Sequence, residues 1–346
     1  SRTGASGRSS LCRKSRRRTS QHRIRRSLGW KREEDKMKII FMGTPEFAVP
    51  ILKGLIENYK VRAIVTQPDK PVGRNGNLSI SPIKQVGIDN TILVLQPVKI
   101  ANEIEVIKEM EPDLIITCAY GQILPQELLD IPRLGCINVH ASLLPKLRGG
   151  APIHRAIMNG YKKTGITIMY MNAKMDEGDI ISSEEIEIEK NDTASTLHDK
   201  LSKLGEKLLL KTLPSIIDGT NDRIKQNSDD ATYAFVIKRE DEKIDFSKTK
   251  REIYNKVRGL NSWPGAYAIF DSKILKVWEC YETENFFPEL LDGQITKVYK
   301  DGIGVKVSNG EIVLTVVQPD GKGKMKAVDF ARGLVNKGAL EGRILS

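Results

Sequence analysis

The sequence predicts an α/β protein with a mainly parallel β-sheet covered by helices, followed by a smaller antiparallel β domain. A chain of 346 residues is too long for one ordinary hydrophobic core and suits two domains of unequal size. Up to about residue 240, short apolar runs alternate with amphipathic helical stretches; beyond it, short β-like runs recur between turn residues. We therefore place the two folded domains at residues 37–240 and 241–346.

The first domain begins with alternating strands and helices. The run KIIFM (38–42) predicts a buried strand, the segment FAVPILKGLIENY after it predicts a helix, and VRAIVTQ predicts the next strand. Two further strands are DLIITCAY (113–120) and GCINVHA (135–141), each followed by a helical pattern. Because these strands are apolar along their whole length, they indicate a parallel sheet covered on both faces.

Two more strands and a long helix complete the first domain. TGITIMYM (164–171) is a further apolar strand, and DIISSEEIEIE after it alternates at period two, as a half-exposed strand does. Residues 195–219 carry apolar side chains at helical spacing. We expect Ser195 and Gly219 to cap the two ends of this helix.

Residues 241–346 predict a small antiparallel barrel or sandwich. Gly, Asp and Asn turn signals separate the runs AYAIF, ILKVWEC, GQITKVYK, GIGVKV and EIVLTVVQP. This spacing fits several small β folds, among which an OB-like barrel is one possibility.

The positive charge of the chain is concentrated at its beginning. The whole chain has a net charge of +11, of which residues 1–36 contribute +10. This segment has too few apolar residues to offset the entropy of ordering, so we expect a disordered basic leader. We favour a vector-derived segment or an upstream start over a transit peptide, because Met37 directly precedes the first strand. We therefore expect this protein in the bacterial cytoplasm. The mitochondrial matrix is the alternative if the leader is a transit peptide.

Several function classes lack support in the sequence. No window offers the roughly 20 apolar residues of a transmembrane helix, so we expect no membrane partner. The four cysteines are scattered, without a CxxC pair or a His at metal-ligand spacing, so we expect free thiols and no metal. The turn MGTPEFAVP has only Gly43 where dinucleotide-binding proteins have three glycines, so we expect no bound dinucleotide.

A long polar segment, TQPDKPVGRNGNLSISPIK (66–84), follows the second strand. Long loops rich in Pro and Gly are usually functional or disordered. Its cations Lys70, Arg74 and Lys84 could meet phosphates. From composition alone, solvated loop charges are the simpler interpretation.

Polar side chains close the strand GCINVHA. Asn138 and His140 share one face if the backbone is extended, and ligands of open α/β sheets bind at the carboxyl ends of strands. Asn can donate a hydrogen bond to a developing oxyanion, and His can donate or accept a proton near neutral pH. Asp176 follows another strand and could orient His140 or relay a proton through water. Each residue also has a purely structural interpretation, and spacing does not show that the three meet.

Taken together, these motifs resemble the methionyl-tRNA formyltransferase family. The resemblance covers residues 37 to about 340 and rests on KIIFMGTPEFAVP, the 66–84 segment, CAYGQILP, INVHASLLPKLRGGAPIHRAI, KIDFSK and RGLNSWPGA. It implies a Rossmann-like formyltransferase fold followed by an OB-like β-barrel that binds tRNA. It also implies an enzyme that transfers the formyl group of 10-formyltetrahydrofolate to the amino group of initiator methionyl-tRNA.

The resemblance assigns roles to three sets of residues. Asn138, His140 and Asp176 would form the formyl-transfer site. The residues expected to hold the folate are Tyr120, Gly121, Gln122, Ile123, Leu124, Ser142, Leu143, Leu144 and Pro145. The cations expected to contact tRNA are Lys70, Arg74, Lys84, Lys322, Lys324 and Lys326. The reaction needs no metal or covalent nucleophile, and we expect a monomer.

The chemistry agrees with these roles. Attack of the amine on the formyl carbon generates a tetrahedral oxyanion, which Asn138 and His140 can stabilise. An α-amino group has a pKa of about 8, so part of the substrate is already uncharged. Asp176, with His140 or a water, is a route for the released proton, and the sequence leaves the acceptor open. Two alternatives also stay open: a folate-dependent formyltransferase or hydrolase acting on an amino sugar or nucleotide, and a catalytically silent tRNA-binding protein.

Overall fold

The computed structural model describes residues 37–72, 77–334 and 338–346, so the predicted leader and Arg74 lie outside the described residues. The strands of the first domain are β1 (Ile39–Gly43), β2 (Val61–Val65), β3 (Lys70–Val72), β4 (Asn77–Ser79), β5 (Leu93–Leu95), β6 (Leu114–Cys118), β7 (Cys136–His140), β8 (Lys163–Tyr170) and β9 (Ile180–Glu187). Seven of them form one sheet in the order β5-β2-β1-β6-β7-β8-β9. The pairs from β5 to β7 are parallel and the last two are antiparallel, which confirms the predicted mainly parallel sheet.

Helices cover both faces of this sheet. They are α1 (Val49–Asn58), α2 (Pro82–Asp89), α3 (Ile104–Glu109), α4 (Gln126–Leu129), α5 (Pro152–Met158) and α6 (Ala194–Asp218). Successive side chains of a strand point to opposite faces, and β1 shows the result. Ile39 and Phe41 pack in the core that includes α1 and α6, whereas Ile40 and Met42 pack in the core that includes α3 and α4. The continuous apolar runs of the sequence are therefore buried on both sides.

Two local predictions need correction. The long helix is capped at its start by Thr193, whose hydroxyl accepts from the backbone N–H of Thr196, so Ser195 lies inside the first turn. Gly219 ends the helix as predicted, in the left-handed conformation that favours glycine. The segment 66–84 is not one long loop, because β3 and β4 pair as a short antiparallel ribbon and α2 begins at Pro82. Lys84 consequently stands in a helix.

In the residues that the structure describes, the second domain is an antiparallel β structure with three short helices. Its strands are β10 (Ala266–Phe270), β11 (Lys273–Thr283), β12 (Ile295–Val298), β13 (Ile303–Val307), β14 (Gly310–Pro319) and β15 (Met325–Lys326), and its helices are α7 (Arg239–Glu242), α8 (Lys250–Gly259) and α9 (Ala327–Arg332). The strand order is β10-β11-β14-β13-β12, with β15 beside β14. This topology confirms the predicted β domain, whereas an OB-like barrel stays a prediction.

Helices α5 and α8 pack closely where the two domains meet. A Cβ added at Gly259 would lie 2.7 Å from the Cγ of Met158, so glycine permits this approach. Nearby, the Arg258 guanidinium donates to the backbone oxygens of Glu189 and Asp192, at 3.0 and 2.9 Å. In the described ranges, no helix combines the length and apolarity that crossing a membrane requires.

Candidate active site

The carboxyl end of β7 carries Asn138 and His140 on one face of the strand. Thr117 of β6 lies beside Asn138 in the parallel register, and its hydroxyl donates to Asn138 Oδ1 at 2.8 Å. Among the described residues, none accepts a hydrogen bond from Asn138 Nδ2. The amide is therefore oriented through its oxygen and keeps its N–H groups for a ligand.

His140 is buried, with a side chain 6% exposed, and a backbone carbonyl fixes its tautomer. Its Nε2 lies 3.0 Å from the oxygen of Leu147. Because a carbonyl oxygen only accepts, Nε2 carries the proton, and a neutral ring presents the lone pair of Nδ1 to the site. Leu147 reaches this position with φ at 59°, and its own N–H donates to Thr232 Oγ1 at 2.9 Å.

Asp176 lies in the segment between β8 and β9 and faces the free nitrogen of His140. Its Oδ1 is 3.7 Å from His140 Nδ1, and its Oδ2 accepts from the backbone N–H of Gly149 at 2.8 Å. The side chain is 16% exposed. The structure thus brings His140 and Asp176 together, with room for Nδ1 to take a proton beside a carboxylate.

The segment from Tyr120 to Leu124 follows β6 and is exposed only in its middle. Tyr120 and Leu124 pack in the core, and burial raises the pKa of Tyr120 to about 12, with a smaller contribution from Glu103. Ile123 is 83% exposed, beside Gly121 in a positive-φ conformation. Ile123 and exposed backbone are therefore the parts of this segment that a ligand can reach.

The segment from Ser142 to Pro145 follows β7 and leads into a tight turn, in which the N–H of Lys146 donates to the oxygen of Leu143 at 3.1 Å. The Ser142 hydroxyl donates to the backbone oxygen of Lys146 at 2.6 Å, and the backbone oxygen of Ser142 accepts from Thr167 Oγ1 at 2.7 Å. The N–H of Leu144 donates to the same threonine oxygen, while Leu143 and Pro145 are half-buried. Because its polar groups bond within the protein, this turn serves to deliver the Leu147 carbonyl to His140.

Comparison with known proteins now identifies the family. Residues 37–213 match the formyl transferase family model, and residues 236–335 match that of the formyl transferase C-terminal domain. The methionyl-tRNA formyltransferase of Bacillus licheniformis is 52% identical over 303 residues, covering 86% of this chain and 95% of the relative. That of Bacillus subtilis is 52% identical over 301 residues, covering 86% and 94%. This chain belongs to the methionyl-tRNA formyltransferase family.

Solved structures share the fold of this methionyl-tRNA formyltransferase family member at low identity. An N-formyltransferase from Helicobacter canadensis, in complex with folinic acid and dTDP-3-aminofucose, has a TM-score of 0.62 at 22% identity. The match covers 82% of this chain and 99% of that one. HypX from Aquifex aeolicus, in complex with tetrahydrofolic acid, has a TM-score of 0.59 at 17% identity, covering 90% and 49%. These likenesses support the fold.

The basic residues predicted for this family member differ in their surroundings. Lys70 is exposed on the ribbon, whereas Lys84 donates to Asp69 Oδ2 at 2.5 Å. Gln96 donates to the other carboxylate oxygen at 2.7 Å, and the donors Lys84 and Gln96 hold the pKa of Asp69 below its ordinary value. Lys84 is thus already paired with a carboxylate at the base of the ribbon, so its charge is less available to a phosphate.

The three lysines predicted for the second domain are exposed. Lys322, Lys324 and Lys326 lie close together along the chain, and the Nζ of Lys324 lies 3.5 Å from the centre of the Trp278 ring. This cation–π contact orients Lys324 and keeps its charge accessible to an anion.

Sequence reasoning overlooked the residues that orient the site. Thr117 and Thr232 act through their hydroxyl groups, and Leu147 and Gly149 act through backbone groups. The identity of a residue does not reveal a backbone contact. For Thr117, the period-two pattern of two adjacent parallel strands was the one available signal.

Proposed function

We propose that this protein transfers the formyl group of 10-formyltetrahydrofolate to the free α-amino group of initiator methionyl-tRNA. The observation that carries the proposal is the contact between His140 and Asp176 at the carboxyl end of β7, with Asn138 on the same face of that strand, in a chain about half identical to methionyl-tRNA formyltransferases over nearly their whole length. Both matched family domains are present. We further propose a monomer in the bacterial cytoplasm, in line with its bacterial relatives.

Asn138 supplies a hydrogen-bond donor where negative charge develops. Attack of the amine turns the formyl oxygen into an oxyanion, and a fixed neutral donor stabilises that charge without reorganising. Thr117 holds the amide oxygen, so the Nδ2 group is presented to the site. We assign oxyanion stabilisation mainly to Asn138, because the neutral tautomer of His140 has no proton on the nitrogen that faces the site.

His140 and Asp176 manage the proton that the attacking amine releases. The Nδ1 lone pair accepts a proton, directly or through a water, and the resulting imidazolium lies 3.7 Å from a carboxylate. Leu147 holds Nε2 throughout, so the ring does not need to turn between the two protonation states. Collapse of the oxyanion then breaks the bond between the formyl carbon and N10 of the folate, and the protonated Nδ1 can return its proton, directly or through a water, to that leaving nitrogen.

The residues predicted to hold the folate fit it in part. We propose that exposed Ile123 and the backbone around Gly121 contact the pterin, whereas Tyr120 and Leu124 support this segment from the core. The formyl group supplied by the folate would then lie toward Asn138. For tRNA, we propose Lys70 and the cluster Lys322, Lys324 and Lys326 as phosphate contacts, with Arg74 beyond the described residues.

We also propose a domain boundary near residue 240. Ala234 packs in the core of the first domain, whereas Ile244 packs in the core of the second. The segment between them contains α7 and is the connection that we propose as the linker.

Formyl transfer from labelled 10-formyltetrahydrofolate tests the proposal directly. The protein from Met37 onward is offered methionyl initiator tRNA and methionyl elongator tRNA in parallel, with a dTDP-amino sugar as a third acceptor. We expect transfer to the initiator tRNA alone. Transfer to the sugar, or folate binding without transfer to either tRNA, would refute the proposed substrate. Tight tRNA binding without turnover would instead favour a silent tRNA-binding protein.

A further inference from the structure

The segment between β7 and α5 contains a fully buried guanidinium. Arg148 is 1% exposed and directly precedes Gly149, whose N–H binds Asp176. A buried charge is costly unless it is paired and hydrogen-bonded. Arg148 donates from Nε and Nη2 to the side-chain oxygen of Gln226, at 3.1 and 2.8 Å, and its Nη1 lies 3.4 Å from Glu177 Oε1.

Gln226 also binds the backbone of the segment that carries Asp176. Its Nε2 donates to the carbonyl oxygens of Asp176 and Gly178, both at 2.8 Å. Asp176 has φ at 55°, in the left-handed region that few side chains adopt. A Cβ at Gly178 would lie 1.7 Å from the oxygen of Tyr170, so the turn is pressed against the end of β8. The amide of Gln226 therefore clamps the unusual backbone on which the carboxylate of Asp176 stands.

We propose that Gln226 and Arg148 are positioning residues that hold the Asp176 carboxylate against His140. The direction of each hydrogen bond from Arg148 through Gln226 to the carbonyls of Asp176 and Gly178 is determined. A guanidinium only donates, so the oxygen of Gln226 must face Arg148; carbonyls only accept, so its NH₂ must face Asp176 and Gly178. Arg148 thereby prevents the amide from flipping.

Gln226→Glu interrupts this series of hydrogen bonds with little change in side-chain shape. The new carboxylate still accepts from Arg148, but it cannot donate to the two carbonyls and repels them. A displaced catalytic group can lower turnover by about 100-fold without weakening binding. We expect kcat to fall by about that factor, with the KM values for the folate donor and for methionyl-tRNA unchanged. Gln294→Glu is the control, because it makes the same change in the second domain. There, the side-chain oxygen accepts from the backbone N–H of Leu291, which a carboxylate oxygen can also do.

A double-mutant comparison separates positioning from general support. If Gln226 acts through Asp176, Gln226→Glu should cost nothing further in an Asp176→Asn background. An equal loss in both backgrounds would overturn the proposal, as would a KM effect without a kcat effect. Arg148→Lys is the second variant, since an ammonium keeps the charge but cannot hold the amide with a two-pronged contact. We expect a smaller loss of kcat, which also disappears in the Asp176→Asn background; full activity of a folded Arg148→Lys variant would count against the proposal.

The inference rests on the role of Asp176 in the proposed function, and the two fail differently. Wild-type protein that formylates no methionyl-tRNA would refute the function. Additive losses in an active enzyme would refute only the positioning roles of Gln226 and Arg148.

Discussion

Replacing Thr117 by valine tests how Asn138 is oriented. Valine has the shape of threonine and suits a strand, so the change removes only the hydroxyl that donates to Asn138 Oδ1 at 2.8 Å. That hydroxyl also lies 3.2 Å from the oxygen of Ile137 and from the sulfur of Met171, but its single proton serves the shortest contact. Without it, the amide of Asn138 loses its fixed direction toward the site.

The size of the effect follows from one hydrogen bond. A buried hydrogen bond contributes about 1 to 1.5 kcal/mol. If the transition state loses that amount, kcat falls by about 5- to 13-fold. Formyl transfer at saturating concentrations of both substrates measures it, beside urea unfolding to verify that the Thr117→Val variant is folded.

Thr164→Val is the matched control for this experiment. Thr164 is also a buried strand threonine, and its hydroxyl has no hydrogen-bond partner among the described residues. Removing an unsatisfied buried hydroxyl should raise stability by about 1 kcal/mol and leave kcat unchanged. If Thr117→Val kept full kcat, the proton would serve Ile137 or Met171, and the orientation of Asn138 would need another explanation.

Three further predictions concern chemistry, pH and packing. His140→Ala should abolish formyl transfer while tRNA affinity, measured by filter binding, stays within about 2-fold; a large loss of affinity would contradict a purely chemical role. The pKa of Asp69 is lowered by its donors, so the stability that it contributes is present above its unfolded pKa and lost as pH falls through the lower folded pKa. The stability difference between wild type and Asp69→Asn should therefore shrink from pH 6 to pH 3 in urea unfolding, and a constant difference would oppose this. Gly259→Ala should destabilise by about 1–3 kcal/mol because its Cβ meets Met158, whereas Gly323→Ala, with nothing within 4 Å, should not; equal melting temperatures would argue against the tight interdomain contact.

The sequence predicts the regular parts of the fold because local patterns determine them. The apolar run of β7 ends at His140, as its residues indicate, because a strand buried on both faces must be apolar throughout. The predicted cap, Ser195, lies two residues after the observed cap, Thr193. Both are good capping residues, and only tertiary packing selects between them. The β3–β4 ribbon was overlooked because its three-residue strands carry Lys, Pro and Asn, which are poor strand signals.

The candidate site shows a different limit. The chemistry of Asn138, His140 and Asp176, which we propose as the reacting groups, is visible in the sequence, and they could be named as candidates from residue type and position. Their support depends on contacts between segments far apart in the chain. Gln226 bonds Arg148 across 78 residues, and nothing in the letters LRGG indicates that this arginine is buried. Pattern reasoning therefore finds reacting groups and overlooks the network that aims them.

That network connects the segment between β7 and α5 with the part of the chain that leads to the second domain. Gln226 and Thr232 lie between α6 and α7, and the N–H of Ala234 donates to the oxygen of Arg148 at 2.7 Å. Through Gln226, Thr232 and Ala234, the stretch between α6 and α7 thus bonds the segment between β7 and α5 before the chain enters the β domain. Because the same residues lead to the second domain and orient Asp176 and Leu147, a truncation that removes the connection would disturb catalysis even with every reacting group present. A chain cut after α6, which removes the last part of the first domain as well as the second domain, would keep Asn138, His140 and Asp176 but lose the hydrogen bond of Gln226 to the backbone of Asp176.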